Sequence, residues 1–197
     1  MSKANCAEAL RELAERLRTG EGVRKNRKKA FILFLKGAAL GDPYLTWCVG
    51  DAYEHGEGVS KSIRKAIHYY KAAAALGYAE AMTALGVYYW GSARSDLQRD
   101  KALRFYKMAA RRGEPHALHN IGVCYSNGIG LRKNMPTAYR YFSRASELGH
   151  VEAQFKMGWC LLYGKGVHSN PETAKKWLKL AAYHGHTEAA KLLSVKS

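Results

Sequence analysis

Apolar residues recur at helical spacing along most of the chain, and polar, glycine-containing breaks divide them into short amphipathic segments. In residues 44–55 (YLTWCVGDAYEH) the pattern predicts one helix. A Gly-x-Gly-hydrophobic turn follows, and it recurs as Gly20-Glu21-Gly22-Val23, Gly56-Glu57-Gly58-Val59, Gly128-Ile129-Gly130-Leu131 and Gly164-Lys165-Gly166-Val167. Glycine at a helix end takes the left-handed conformation at little steric cost. The next helix is expected to start near Asn26, Ser62, Asn134 or Asn170, all good N-cap types, with Pro171 suited to a first helical position. It then runs through an aromatic pair (Tyr69-Tyr70, Phe105-Tyr106, Tyr141-Phe142) and a small-residue pair (Ala73-Ala74, Ala109-Ala110, Ala181-Ala182) to a closing glycine.

The segments repeat. Gly41, Gly77, Gly113, Gly149 and Gly185 are 36 residues apart, as are Gly50, Gly86, Gly122 and Gly158, and Ala30, Ala66, Ala102, Ala138 and Ala174. Tyr69, Phe105, Tyr141 and Trp177 form a fourth column, with Leu33 in the first copy, read as an aromatic core column. Such a period marks a stack of supersecondary units. The small pairs, and Gly50 with its equivalents, are expected where helices approach closely. Five units are predicted near residues 7–41, 43–77, 79–113, 115–149 and 151–185 of a single domain spanning 1–197. A short helix over about 187–195 would cap the last unit.

With only 4 prolines and few β-branched runs, helix is favoured over strand. The 47% apolar and 11% aromatic content excludes generic disorder. No stretch approaches the ~20 apolar residues of a membrane span. The start, MSKANCAEALRELAERLR, is charged and lacks an apolar signal core, so a cytoplasmic location is expected. Cys6, Cys48, Cys124 and Cys160 are too few and too irregular for a disulfide framework, so four free thiols in a reducing compartment are expected.

The glycine, alanine and aromatic columns, with AMTALGVYY, WCVGDAYEHGEGV and RKAIHYYKAAAALG, resemble the Sel-like repeat family, relatives of the tetratricopeptide repeats. The resemblance covers residues 9–193. It implies an all-α fold, an α/α-solenoid of five repeats wound as a right-handed superhelix. It also implies a non-enzymatic adaptor or scaffold that holds a protein or peptide in a concave groove lined by the first helices. Two departures stand out. Ser92, Ala93 and Arg94 replace Gly-x-Gly in repeat 3, so an altered turn capped by Ser95 or Asp96 is expected there. The family's acidic residue at the second helix's cap is replaced by Asn26, Ser62, Gln98, Asn134 and Asn170. A secreted branch pairs cysteines within each repeat; this chain lacks that pairing, so that branch's penicillin-binding-like activity is not implied.

If the first helices line the groove, one stripe of each faces it, spaced i, i+3, i+7, i+10. The stripes are Tyr44, Trp47, Asp51, Glu54; Glu80, Thr83, Val87, Trp90; His116, His119, Val123, Ser126; and Glu152, Phe155, Trp159, Leu162. Trp47, Trp90 and Trp159 stand where the repeat pattern requires no aromatic. They read either as binding anchors or as extra core packing. His116-x-x-His119 with Cys124 invites a metal reading, but further ligands would have to come from a neighbour, and ordinary polar surface is preferred. Neither a catalytic motif nor a cofactor motif is present in the sequence.

The chain carries 32 Lys+Arg against 16 Asp+Glu, a net +16. Segments 21–29, 57–65, 93–101, 129–137 and 165–173 hold +4, +2, +1, +2 and 0, more than half of it. Stacked links would form a basic ridge carrying Arg24, Lys25, Arg27, Lys28, Lys61, Arg64, Arg132 and Lys133. The ridge reads as a solvated surface, as a dock for an acidic partner, or as a nucleic-acid or anionic-surface binder. Immunity to a toxin or effector enzyme is a further alternative for the groove.

Overall fold

The structure, a computed structural model, describes residues 3–93 and 95–195. Eleven helices and no strand are formed among them: α1 (Lys3–Thr19), α2 (Arg27–Ala39), α3 (Pro43–His55), α4 (Ile63–Ala75), α5 (Ala79–Gly91), α6 (Asp96–Ala110), α7 (Pro115–Asn127), α8 (Met135–Glu147), α9 (Val151–Tyr163), α10 (Pro171–Tyr183) and α11 (Thr187–Val195). This is the all-α solenoid architecture: five helix pairs followed by a C-terminal helix. Contacts group the chain into two units, Met1–Leu85 and Gly86–Ser197, with the boundary inside α5. In the first unit α1, α2 and α3 each pack on the next helix in sequence, and in the second α6 to α10 do the same.

The helix starts follow the cap chemistry. Asn26, Ser62, Asn134 and Asn170 accept from Lys29, Lys65, Thr137 and Thr173 N–H, one of the donors a helix start leaves unpaired. At the ends of α3, α7 and α9, Gly56, Gly128 and Gly164 are left-handed (φ 76°, 72° and 63°), as the turn reading expected. The second glycine of the turn has a different task. A Cβ on Gly58 would lie 2.2 Å from the Arg27 carbonyl oxygen, and one on Gly166 would lie 2.4 Å from Met135 backbone. The link of each of these repeats thus sits directly on the start of the preceding repeat's second helix.

Repeat 3 departs as expected in position and differently in detail. Ser92 replaces the left-handed glycine, no non-glycine residue has positive φ among the described residues, and the Ser92 hydroxyl bonds the Tyr88 carbonyl (2.8 Å). The second helix starts at Asp96, three residues earlier than the period gives. Ser95 holds the cap position without a side-chain capping bond, while Asp96 pairs with Arg99 (2.7 Å). Gln98 is therefore inside α6 and not at the position before its start. Arg94 lies outside the described residues.

In four of the five helix pairs a glycine of the first helix lies against a ring or branched side chain of the second; the first pair has Ala14 at that position. Cβ atoms on Gly50, Gly86, Gly122 and Gly158 would stand 2.7, 2.4, 2.6 and 2.8 Å from Tyr70, Tyr106, Phe142 and Leu178. These partners, not the Tyr69 column, are the buried residues, which corrects the aromatic core reading. Tyr69, Phe105 and Tyr141 are half-buried and stack on Tyr53, Tyr89 and Tyr125 of the first helices, with centroids 5.6–5.8 Å apart.

Two expected outcomes follow from this packing. Gly122→Ala should lower stability by about 1–3 kcal/mol, because overpacking against Phe142 outweighs the ~1 kcal/mol that alanine gains in a helix. Gly91→Ala, in α5 with nothing within 4 Å of the added methyl, should keep that gain. Urea denaturation of the two variants measures the contrast, and equal midpoints would refute it. Cys48, Cys124 and Cys160 are buried, and burial pushes their thiols up to about 12, 11 and 11, whereas Cys6 is half-buried. Brief alkylation of the native protein should modify Cys6 first and reach the other three only as the chain unfolds, with peptide mass spectrometry as the readout.

Candidate functional site

The stripes lie on α3, α5, α7 and α9, and their four columns differ in exposure. The column of Trp47, Thr83, His119 and Phe155 is the most enclosed: Thr83 and Phe155 are 7% exposed, Trp47 and His119 half-buried. Thr83 and Phe155 therefore wall the site from within rather than present open contact surface. The column of Asp51, Val87, Val123 and Trp159 is more open, with Val87 53% exposed. Glu54, Trp90, Ser126 and Leu162 are half-buried; Tyr44 and Glu152 likewise, whereas Glu80 and His116 are exposed.

The enclosure has a repeated cause. The residue before the following first helix folds down between two stripe positions. In the first unit Tyr78 meets Trp47 (5.7 Å between centroids) and Tyr44 (6.0 Å). In the second, His150 stacks on His119 (4.6 Å) and reaches His116, and His186 stacks on Phe155 (4.3 Å) and reaches Glu152. The same register holds Asp42, which caps α3 through Leu45 N–H and pairs with Arg11 (2.6 Å), and Glu114, which caps α7. The sequence reading missed this seam, since its members are Asp, Tyr, Glu, His and His; only their spacing of 36 could have shown it.

In the first unit the cleft beside Trp47 and Asp51 is small, about 40 Å³. Glu15 accepts from Tyr44 Oη (2.7 Å) and from Arg18 (2.6 Å) across its wall, and Tyr70 donates to Glu54. Burial raises the Asp51 carboxyl above the usual carboxylate range. In the second unit a pocket of about 950 Å³ opens along α7 and α9, with residues of α8 and α11 contributing. Six residues of the two predicted stripes line it: His119, Val123, Ser126, Glu152, Phe155 and Trp159. Trp159 packs against two core clusters, one around Phe155 and Leu178 and one around Phe142 and Cys160. Leu162 belongs to the core packing of α9 and is not a lining residue. Among the described residues no group of three His, Cys, Asp or Glu side chains is arranged to hold a metal ion.

The ridge residues are exposed: Arg24, Lys25, Arg27, Lys28, Lys61 and Arg64 in the first unit, Arg132 and Lys133 in the second. Arg27 pairs with Glu57 of the following link at 3.4 Å. The stems of Lys25, Lys61 and Lys133 lie beside the glycines that end the preceding helices, Cβ to Cβ position 3.1–3.5 Å. Lys133 also lines the pocket, so ridge and pocket meet there.

The histidines at the pocket's edge have defined protonation. Ala153 N–H points at His150 Nδ1 (3.1 Å), and Ala189 N–H at His186 Nδ1 (3.2 Å), so both nitrogens accept and carry no hydrogen. Each Nε2–H then donates, His150 to His116 Nδ1 (3.1 Å) and His186 to Glu152 (2.9 Å). Burial, then the neighbouring His150, pushes His119 down to about 4, and its Nε2 is buried with no hydrogen-bond partner. Glu152 pulls His119 upward and Lys156 pulls it downward, as lesser influences. Burial, then His116, lowers His150 against weaker pulls from Glu114 and Glu152. Burial would raise Glu152, but His186 and Lys156 outweigh it and hold the carboxyl below its usual value. All three groups are depressed in the folded state. Their contribution is present above their unfolded values and is lost as pH falls through the folded ones. Stability should therefore decline as pH falls from about 6.5 to 4 through the two histidines, by ~1–3 kcal/mol, and further below about 4.5 as Glu152 protonates. Asparagine caps a helix at any pH, so His150→Asn should flatten that decline while keeping α9 capped, and His119→Phe should flatten it further. Urea midpoints measured against pH test this; slopes parallel to the parent protein would overturn the assignment.

The family described as Sel1 repeat matches residues 7–42, 49–78, 79–114, 115–150 and 151–186. Among solved structures, the chain is similar to a Sel1 repeat protein from Oxalobacter formigenes, at 29% identity and TM-score 0.89, over 95% of this chain and 76% of that one. It is also similar to a protective antigen with an SLR fold present in uropathogenic Escherichia coli strains, at 24% identity and TM-score 0.79, over 93% of this chain and 39% of that one. An immunity protein from Pseudomonas aeruginosa shares the fold at 21% identity and TM-score 0.66, over 93% and 68%. No curated protein matches the sequence.

Proposed function

The chain belongs to the Sel1 repeat family, whose members are generally non-catalytic scaffolds for protein–protein interaction, and we propose that it binds a partner protein in the pocket along α7 and α9. The observation that carries this reading is the opening itself. A volume of about 950 Å³ lies along two predicted stripes, within the range of ~300–1,000 Å³ typical of ligand-holding clefts. The reading involves no turnover. The walls offer rings, the Cys160 thiol pushed up by burial and the His119 imidazole pushed down by burial, which are means of holding a segment rather than of activating one. No helix among the described residues is long and apolar enough to cross a membrane.

The exposed ridge serves encounter in this reading. Its cations steer an acidic partner and are screened by salt, while the buried contact sets the lifetime of the complex. A toxin enzyme held in the pocket would be one case of the same binding mode.

The test uses a partner recovered from native lysate and identified by mass spectrometry. Val123→Arg fills the pocket from a half-buried position and should weaken binding by at least ~30-fold, mainly through faster dissociation, with an unchanged melt. Trp159→Ala should weaken binding as well, but it also unpacks two core clusters and lowers the melt. Replacing Lys25, Arg27 and Lys28 together with Glu should slow association, most at low salt. A partner whose kinetics ignore Val123→Arg and respond only to the ridge variant would move the site to the ridge.

A further inference from the structure

The pocket is electrically asymmetric along α9, and the asymmetry bears on what fills it. Glu152 stands in the first turn of α9 and Glu188 in the first turn of α11. Lys165 follows the last turn of α9, and Lys133 comes from the preceding link, beside the glycine that ends α7. Both lysines line the pocket and are exposed. Lys165 lies thirteen positions beyond Glu152, along α9 and its C-cap, a run of ~20 Å. Glu152 is already engaged, by His186 at 2.9 Å and Lys156 at 3.5 Å. Lys133 and Lys165 have no carboxylate within ion-pair distance among the described residues. Between the two ends the walls carry Val123, Met135, Phe142, Phe155 and Trp159, with the polar His119, Ser126 and Asn127 and the Glu152-paired Lys156 beside them.

Resting on the reading that this pocket binds a protein segment, we propose that the segment presents a bulky apolar side chain beside a carboxylate. The apolar group lies on Trp159 and Val123, and the carboxylate lies between Lys133 and Lys165. The orientation follows from charge: the carboxylate avoids the end holding Glu152 and Glu188 and completes the end with two unpaired cations. The apolar body supplies most of the affinity by leaving water, and the ion pair supplies direction. The lysines also lie near the negative ends of α7 and α9, a role in stability that the test separates from ligand recognition.

The probes are 3-phenylpropionate, 3-phenylpropionamide and 3-phenylpropylamine, which share a ring and differ in end group. Each is titrated into the full chain at about pH 7.5. Methyl and amide NMR shifts at Val123 and residues 133 and 165 report the site. The carboxylate should bind about fivefold more tightly than the amide, and the amine more weakly than either. Lys133→Gln with Lys165→Gln should erase the carboxylate preference, leave the amide's affinity in place and keep the fold. Lysines that serve only the helix ends would lower the melt and leave the preference intact, which overturns the proposal. Equal affinity for the three probes, shifts confined to another face, or no binding by ~10 mM overturns it too. If Val123→Arg still abolishes capture of the natural partner in those cases, the interaction reading stands and only the occupant's chemistry falls.

Discussion

The contact on which the rest depends is a missing methyl group. At Gly50, Gly86, Gly122 and Gly158 a first helix presents bare backbone to Tyr70, Tyr106, Phe142 or Leu178 of its partner, closer than any Cβ could allow. That approach fixes how deeply the two helices of a pair interlock and therefore which residues each pair leaves on its flanks. Because the contact recurs every 36 residues without insertion, each pair offers its neighbour nearly the same surface. Close-packed interiors tolerate little change of volume, so the period is held by sterics rather than by any single strong bond.

Much of this was legible in the sequence because glycine and alanine columns record close approach directly. The N-caps at Asn26, Ser62, Asn134 and Asn170, the left-handed turns at Gly56, Gly128 and Gly164, and the terminal helix α11 were likewise readable from local chemistry. What was not legible depends on the distance between repeats. The second glycine of each turn reads as a turn residue, yet Gly58 and Gly166 are needed because backbone of the previous repeat lies against them. The aromatic pairs could not be told apart by spacing; only the packed structure shows Tyr70 and Phe142 facing glycine while Tyr69 and Tyr141 stack outward. In repeat 3 the loss of a left-handed glycine is met by an earlier start to α6, with Ser95 at the cap position as its residue type suggested, though without a side-chain capping bond.

The stripes were legible as faces of helices, but not as open or closed surfaces. Whether a stripe is accessible depends on the residue 31 or 34 positions further on, which precedes the next first helix and covers two members of the stripe. Tyr78 covers Trp47 and Tyr44, and polar bonds from Glu15 to Tyr44 and Arg18 close the space beside them. In α7 and α9 the covering residues are histidines, thinner and less apolar than tyrosine, and the positions beyond them are Val123 and Trp159 instead of Asp51. The same scaffold thus gives a cleft of about 40 Å³ in one unit and a pocket of about 950 Å³ in the other, by side-chain choice at a handful of positions.

The charge distribution fits the same frame. A net charge of +16 on 197 residues opposes compaction wherever like charges crowd. Here many of the cations stand on links that follow the C-terminal ends of first helices, with the stems of Lys25, Lys61 and Lys133 laid beside the terminal glycines. Helix C-termini carry partial negative charge on their unpaired carbonyls, so cations there are held at lower cost than on a neutral face. Few of them are consumed by carboxylates: Arg27 has Glu57, while Lys133 and Lys165 have none among the described residues. A cation stabilised by a helix end keeps most of its hydration and its reach. It can therefore serve the fold and remain available to an incoming carboxylate, whereas a cation already in an ion pair cannot.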